Sequence, residues 1–161
     1  MSRICVFPGT FDPVTLGHTD IIDRAVNLFD RLVIGIGINS TKQPMFPLEK
    51  RIAWCEAIYR DDPRISVETY EGLTVDFCRK IKASYLLRGI RFASDFDYEK
   101  SIATLNRALR PEIETIFLAP SPAYANLAST LVREVIRHGG DATAFLPKPV
   151  NDALYAHQRS S

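Results

Sequence analysis

"FPGTFDPVTLGH", residues 7–18, lies between the apolar run "RICVF" and a segment whose apolar residues recur every three or four positions. A strand that breaks into a Gly-Thr-Phe-Asp-Pro turn and continues as a helix is the opening of a β-α unit. Pro8-Gly9-Thr10 and Asp12-Pro13 read as turns, and Gly17-His18 as the start of the helix. The stretch puts a hydroxyl, a backbone-exposing glycine and an imidazole beside a helix N-terminus. Free N–H groups and the helix dipole favour a phosphate there. Gly17 lets a ligand approach the backbone closely, and His18 aims a donor at it. The same spacing also suits a solvated loop with a capping threonine and a surface imidazole. Spacing alone does not choose between these readings.

Outward from this unit the alternation repeats. "RICVF" (3–7), "RLVIGIGI" (31–38), "RISVETY" (64–70), "SYLLRG" (84–89) and "IETIFLA" (113–119) are short, β-branched and apolar, as buried strands are. Between them, 18–30 carries Ile21, Ile22, Ala25, Val26 and Phe29 at helical spacing. Residues 48–60 do the same with Leu48, Ile52, Cys55 and Tyr59 behind Pro47, which suits a helix start. Stretches 73–83, 95–110 and 129–138 complete the series, the last stopped by Gly139-Gly140, and 147–158 reads as a further short helix. The pattern predicts a doubly wound, Rossmann-like α/β fold: a five-stranded parallel sheet with helices on both faces. No repeat or linker interrupts it, so residues 1–161 are expected to form a single domain. Ligands of such sheets bind outside the carboxyl ends of the strands, which marks 8–18, 39–47, 89–99 and 120–130.

Composition narrows the classes. With 46% hydrophobic and 24% charged residues, the chain of 161 residues is that of an ordinary globular protein. A net charge of +1 gives no reason to expect nucleic-acid or membrane binding. The longest apolar run, "LVIGIGI" (32–38), is far short of a membrane span, and no leader precedes the first strand, so a cytoplasmic protein is expected. Cys5, Cys55 and Cys78 form no C-x-x-C pair and read as reduced, buried thiols. "NST" (39–41) matches a glycosylation sequon by chance. The three histidines have no ligand spacing, so no protein-held metal is expected. A P-loop is absent, and "GIG" (35–37) sits inside a strand, not at its end.

Thr15-Leu16-Gly17-His18 resembles the T/H-x-G-H motif of the nucleotidylyltransferase superfamily, and "STLVRE" (129–134) resembles its second motif, a Ser–Thr pair with an arginine one turn later. "KQPMF" from Lys42, "RGIRFASDFDYE" (88–99) and "RHGGD" from Arg137 narrow the likeness to bacterial phosphopantetheine adenylyltransferases, in register from residue 4 to about 155. The resemblance implies adenylyl transfer from ATP to 4′-phosphopantetheine, giving dephospho-coenzyme A and pyrophosphate, with Mg2+. It further implies a homohexamer with coenzyme A as feedback inhibitor. The attacking phosphate is ionised at neutral pH, so no general base is required, and catalysis consists of positioning two anions and stabilising charge on the α-phosphoryl group.

By position, the resemblance puts Thr10 on the nucleophilic phosphate and makes His18 the transition-state stabiliser, with Lys42 and Arg91 completing the catalytic set. Lys42 and Arg88 hold the acceptor with the backbone of Thr74. Phe11, Gly89, Ile90, Arg91 and Glu99 contact ATP, as does the loop Ala123, Tyr124, Ala125, Asn126, Leu127, Ala128 and Ser129. Read without the family, Lys42 is a solvated charge, Glu99 a solvated helix residue, and Ser129 a cap for the last long helix. Arg88 closes an apolar strand and is expected to meet an anion or a carboxylate. The chain departs from the family at Ala128, commonly serine, at Leu127 for isoleucine, Asp97 for glutamate and Leu16 for asparagine. Rival readings are transfer to nicotinate mononucleotide or glycerol phosphate, the latter disfavoured by the missing R-T-x-G-I-S-T run, and a nucleotide-binding regulatory module without turnover.

Overall fold

The computed structural model describes residues 1–39 and 41–156. Strands β1 (Ile4–Gly9), β2 (Arg31–Gly37), β3 (Ile65–Tyr70), β4 (Tyr85–Gly89) and β5 (Glu114–Leu118) alternate with helices α1 (Leu16–Ala25), α2 (Leu48–Ile58), α3 (Thr74–Lys80), α4 (Ala93–Leu109) and α5 (Ser129–Arg137), and α6 (Lys148–Tyr155) follows. All pairings are parallel, in the spatial order β3-β2-β1-β4-β5. The end of the expected tail helix, 157–158, and Ser40 of the sequon lie outside the described residues.

Alternation along β1 feeds two cores. Cys5 and Phe7 pack with Ile22 of α1, Trp54 and Cys55 of α2, Val132 of α5 and Val150 of α6. Val6 faces the opposite way, onto Val33, Leu86 and the α3 residues Val75, Phe77 and Cys78. Burying each such side chain contributes roughly 1.5–3 kcal/mol, which explains why the strands carry apolar residues on both faces. All three cysteines are free and buried. Burial pushes the thiols of Cys55 and Cys78 up to about 12 and that of Cys5 higher still, so all three are inert apolar filler. Helix α4 differs from the others: Phe96 sets its ring edge-on to Phe117 of β5, while Ile102, Leu105 and Leu109 stay exposed.

Strand order places the crevice. From β1 the chain steps outward to β2 and β3, then crosses back to lay β4 on the other side of β1. The carboxyl ends of β1 and β4 therefore flank the switch point. The β1–β2 ladder continues through Gly9↔Ile36, but the β1–β4 ladder stops at Val6↔Leu86. Pro8 accounts for the early stop. Its carbonyl faces β4, where it accepts from Arg88 Nη1 at 3.2 Å, and on that same side the proline has no N–H to offer. Two expectations are corrected. Pro8-Gly9 extends the strand and does not begin the turn, because β2 pairs with it to the end. Helix α1 starts at Leu16, one residue before Gly17, because Thr15 caps it.

Candidate active site

An open cavity of about 1250 Å³ lies at this crevice, lined by the ends of β1, β2 and β4 and the N-terminal turns of α1 and α5. A smaller cavity of about 440 Å³ continues it past Thr10 and Lys42 toward Gln43 and Arg137. Of the residues singled out from the sequence, Thr10, Phe11, His18, Lys42, Thr74, Arg88, Gly89, Arg91 and Glu99 line the larger cavity. So do Tyr124, Leu127, Ala128 and Ser129. Ile90, Ala123, Ala125 and Asn126 are not among its lining residues.

His18 is held by a capping box in which an imidazole stands where a glutamate commonly does. The Thr15 backbone N–H donates to His18 Nδ1 at 3.0 Å, and the His18 N–H donates to Thr15 Oγ1 at 3.4 Å. Nδ1 is therefore an acceptor and the ring proton sits on Nε2, a neutral donor. Burial, with the Arg91 charge adding to it, pushes the imidazole down to about 4. Phe11 supports the ring from below at 4.8 Å between centroids, and is itself only 2% exposed. The backbone at Phe11 is left-handed, φ 49°, a conformation a bulky residue holds only where packing enforces it. Gly9 suits this packing, since a Cβ on it would crowd the Phe11 ring at 3.0 Å. At Gly17 an added Cβ would meet the Leu127 carbonyl at 3.5 Å, an ordinary contact, so packing by the chain does not demand a glycine there.

Arg88 meets a carboxylate. Its Nε donates to Glu99 Oε2 at 2.8 Å and its Nη2 to Oε1 at 2.7 Å, a bidentate pair in which Glu99 is 8% exposed. Glu99 is thus not the solvated helix residue read from its surroundings in sequence; it orients the guanidinium that closes β4. Arg91 donates to the Leu127 carbonyl at 3.3 Å, and Asp95 accepts from the backbone N–H groups of Arg91 and Phe92 at 3.1 and 3.2 Å. Lys42 is exposed on a loop whose base is set by Asp12: Asp12 accepts from the N–H groups of Met45 and Phe46 at 2.7 and 2.8 Å. Arg51 fixes the Thr10 carbonyl at 2.8 Å, and the hydroxyl of Thr74 pairs with Tyr70 at 2.8 Å.

Ser129 does not cap α5. It is the first helical residue and donates to the Pro13 carbonyl at 3.3 Å, while Ala128 occupies the cap position without a side-chain bond. The serine that the family commonly carries at 128 therefore falls on the N-cap. Two contributors went unassigned in the sequence. Arg133 lines both cavities, donating to the Asp12 carbonyl at 2.9 Å and to Thr130 Oγ1 at 3.2 Å. Its place one turn after Ser-Thr was the signal. Asp12 read only as a turn residue, and nothing local marks its clamp.

The lining is rich in cationic and neutral donors. Its carboxylates, Asp12, Asp95 and Glu99, already accept hydrogen bonds from the protein. Among the described residues no group of three His, Cys, Asp or Glu could hold a metal ion. The site fits an anionic ligand and does not fit a protein-held cation.

The family model for cytidylyltransferase-like proteins matches residues 6–135, so fold and site define a member of the nucleotidylyltransferase superfamily. The phosphopantetheine adenylyltransferase of Flavobacterium psychrophilum is 48% identical over 148 residues, 92% of this chain and 97% of the relative. That of Flavobacterium johnsoniae is 49% identical with the same coverage, and that of Lachnoclostridium phytofermentans 43% identical over 95% of this chain and 94% of the relative. The chain belongs to the phosphopantetheine adenylyltransferase family. A solved structure described as a nicotinate-nucleotide adenylyltransferase of Vibrio parahaemolyticus superposes with a TM-score of 0.73 over 98% of this chain and 93% of that one; at 18% identity it bears on the fold alone.

Proposed function

We propose that this protein transfers the adenylyl group of ATP to 4′-phosphopantetheine. A phosphate oxygen of the acceptor bonds to the α-phosphorus, the bond from that phosphorus to the bridging oxygen breaks, and pyrophosphate leaves with its electron pair. The observation that carries the reading is a neutral, capped imidazole at the head of α1, facing a cavity ringed with lysine and arginine. In this reading His18 donates Nε2–H to the α-phosphoryl group as charge develops, at no reorganisation cost because Thr15 has already fixed the ring. Thr10, Lys42 and Arg88 receive the acceptor phosphate, with Arg88 held in aim by Glu99. Arg91 and the turn at Ala128–Ser129 receive the phosphates of ATP. No residue needs to take a proton from the nucleophile.

Magnesium, in this account, enters on the nucleotide as a counter-ion of its phosphates. A cytoplasmic, single-domain enzyme spanning 1–161 is the corresponding cellular reading; no helix among the described residues is long and apolar enough to cross a membrane. Assembly as a homohexamer is supported by the bare apolar face of α4, and sedimentation velocity tests it. Feedback by coenzyme A rests on family likeness and is tested by adding it to the assay. The deciding experiment monitors pyrophosphate release from each NTP with each candidate acceptor. Release from ATP with 4′-phosphopantetheine is expected. Preference for nicotinate mononucleotide would leave the superfamily standing and remove the substrate.

A further inference from the structure

We infer that Asp20 is a positioning residue for the nucleotide, tethering the loop after β5 to the helix that carries His18; the inference rests on the reading of the cavity as an ATP site. Asp20 lies half a turn beyond His18 on α1, with its side chain 9% exposed. Its Oδ2 accepts from the Ser121 backbone N–H at 2.8 Å and its Oδ1 from the Ser121 hydroxyl at 2.5 Å. Arg24, one turn later, donates to Asp20 at 3.2 Å and reaches the Ala119 carbonyl at 2.7 Å. Burial works against ionising Asp20, but the Ser121 bonds and the Arg24 charge outweigh it and hold the carboxyl below its usual range. The result is a charge-assisted clamp on 119–121.

Ser121 is the last extended residue before the 3-10 turn Pro122–Tyr124. From it a relay of backbone bonds runs inward, Tyr124 N–H to the Ser121 carbonyl at 2.9 Å and Leu127 N–H to the Tyr124 carbonyl at 3.0 Å. Tyr124 and Leu127 line the cavity, and the Leu127 carbonyl receives Arg91. The loop thus hangs from Asp20 at one end and is held by Arg91 at the other. Its distance from His18 is set by a carboxylate on the same helix as His18. An acceptor held at Thr10, Lys42 and Arg88 does not depend on that loop.

Calorimetric titration of Asp20→Ala with ATP and, separately, with 4′-phosphopantetheine tests the assignment. ATP should weaken tenfold or more while acceptor affinity stays within twofold, a split that a merely stabilising residue would not produce. Ser121→Ala should show the same split with a smaller loss, Asp20→Asn should recover part of it, and the double variant Asp20→Ala/Ser121→Ala should be no worse than Asp20→Ala. Equal weakening of both ligands, or unchanged ATP affinity in the folded variant, overturns the assignment. If Asp20→Ala does not fold, Ser121→Ala decides alone: an ATP-selective loss supports the tether and no loss overturns it. A wild-type protein that binds no ATP sinks the reading of the site instead. In that event amide exchange over Tyr124–Leu127 judges the tether, faster exchange in Asp20→Asn keeping it and equal exchange removing it.

Discussion

The N-terminus of α1 is closed by a capping box, whereas that of α5, beside it at the same cavity, carries no side-chain cap. At α1, Thr15 and His18 satisfy each other's N–H groups, and Thr15 is 1% exposed. At α5, Ala128 offers nothing to the first-turn N–H groups, which have no intrahelical partner. The capping box takes up the His18 N–H of that first turn, and α1 contributes to the cavity through the side chain it orients, His18. An open terminus contributes through the backbone itself. The two termini thus divide the work: one aims a side-chain donor, the other leaves backbone donors uncapped.

The comparison breaks most visibly at His18. His18→Ala should lower the single-turnover rate with bound ATP and acceptor by ~10²–10³, with substrate affinities little changed. His18→Gln should recover part, since an amide can donate without charge. A near-normal rate in His18→Ala would make the imidazole only a cap and erase the distinction between the two termini.

The closed terminus also has a pH signature. His18 should titrate near 4 by NMR, and Arg91→Ala should raise that midpoint by removing a positive neighbour. The sign follows from the lowered value. The unfolded chain binds a proton near pH 6.5 and the native protein does not until about 4, so stability falls as pH drops through this window and levels off below it. About 2 kcal/mol should be lost between pH 7 and 5, and urea melts of wild type against His18→Gln isolate that share. A midpoint near 6.5 would mean that the surroundings of His18 do not desolvate its charged form.

Opening α1 by deleting its cap is a milder change. Thr15→Val keeps the shape and loses the hydroxyl, so thermal unfolding should report about 1 kcal/mol of lost stability. The rate should fall less than tenfold, because the Thr15 backbone N–H still holds Nδ1. Closing α5 is smallest. Ala128→Ser should add up to about 1 kcal/mol of stability through the cap and tighten ATP by no more than fivefold. A marked loss of ATP affinity in the calorimeter would show that the new hydroxyl takes the N–H groups the nucleotide needs.

Much of this is legible in the residue pattern itself. Apolar runs of strand length alternating with helical periodicity specify a parallel α/β sheet, because burial on both faces demands that composition. The Gly-His pair and the Ser-Thr pair are read as helix starts from a few neighbouring residues, and the family blocks add the chemistry. What local pattern cannot contain is the partner of a polar group brought from elsewhere. Glu99 lies 11 residues from Arg88, Asp12 lies 33 from Met45, and Asp20 lies 101 from Ser121. Periodicity and turn chemistry act over a single turn or strand, so the sequence by itself determined the elements, their parallel arrangement and the ends at which a ligand must bind. Only the tertiary structure decided which side of β1 receives β4, and with it the crevice beside Pro8, the clamp on Arg88 and the burial that keeps His18 neutral. Those depend on strand order and on burial, which exist only once distant segments have packed.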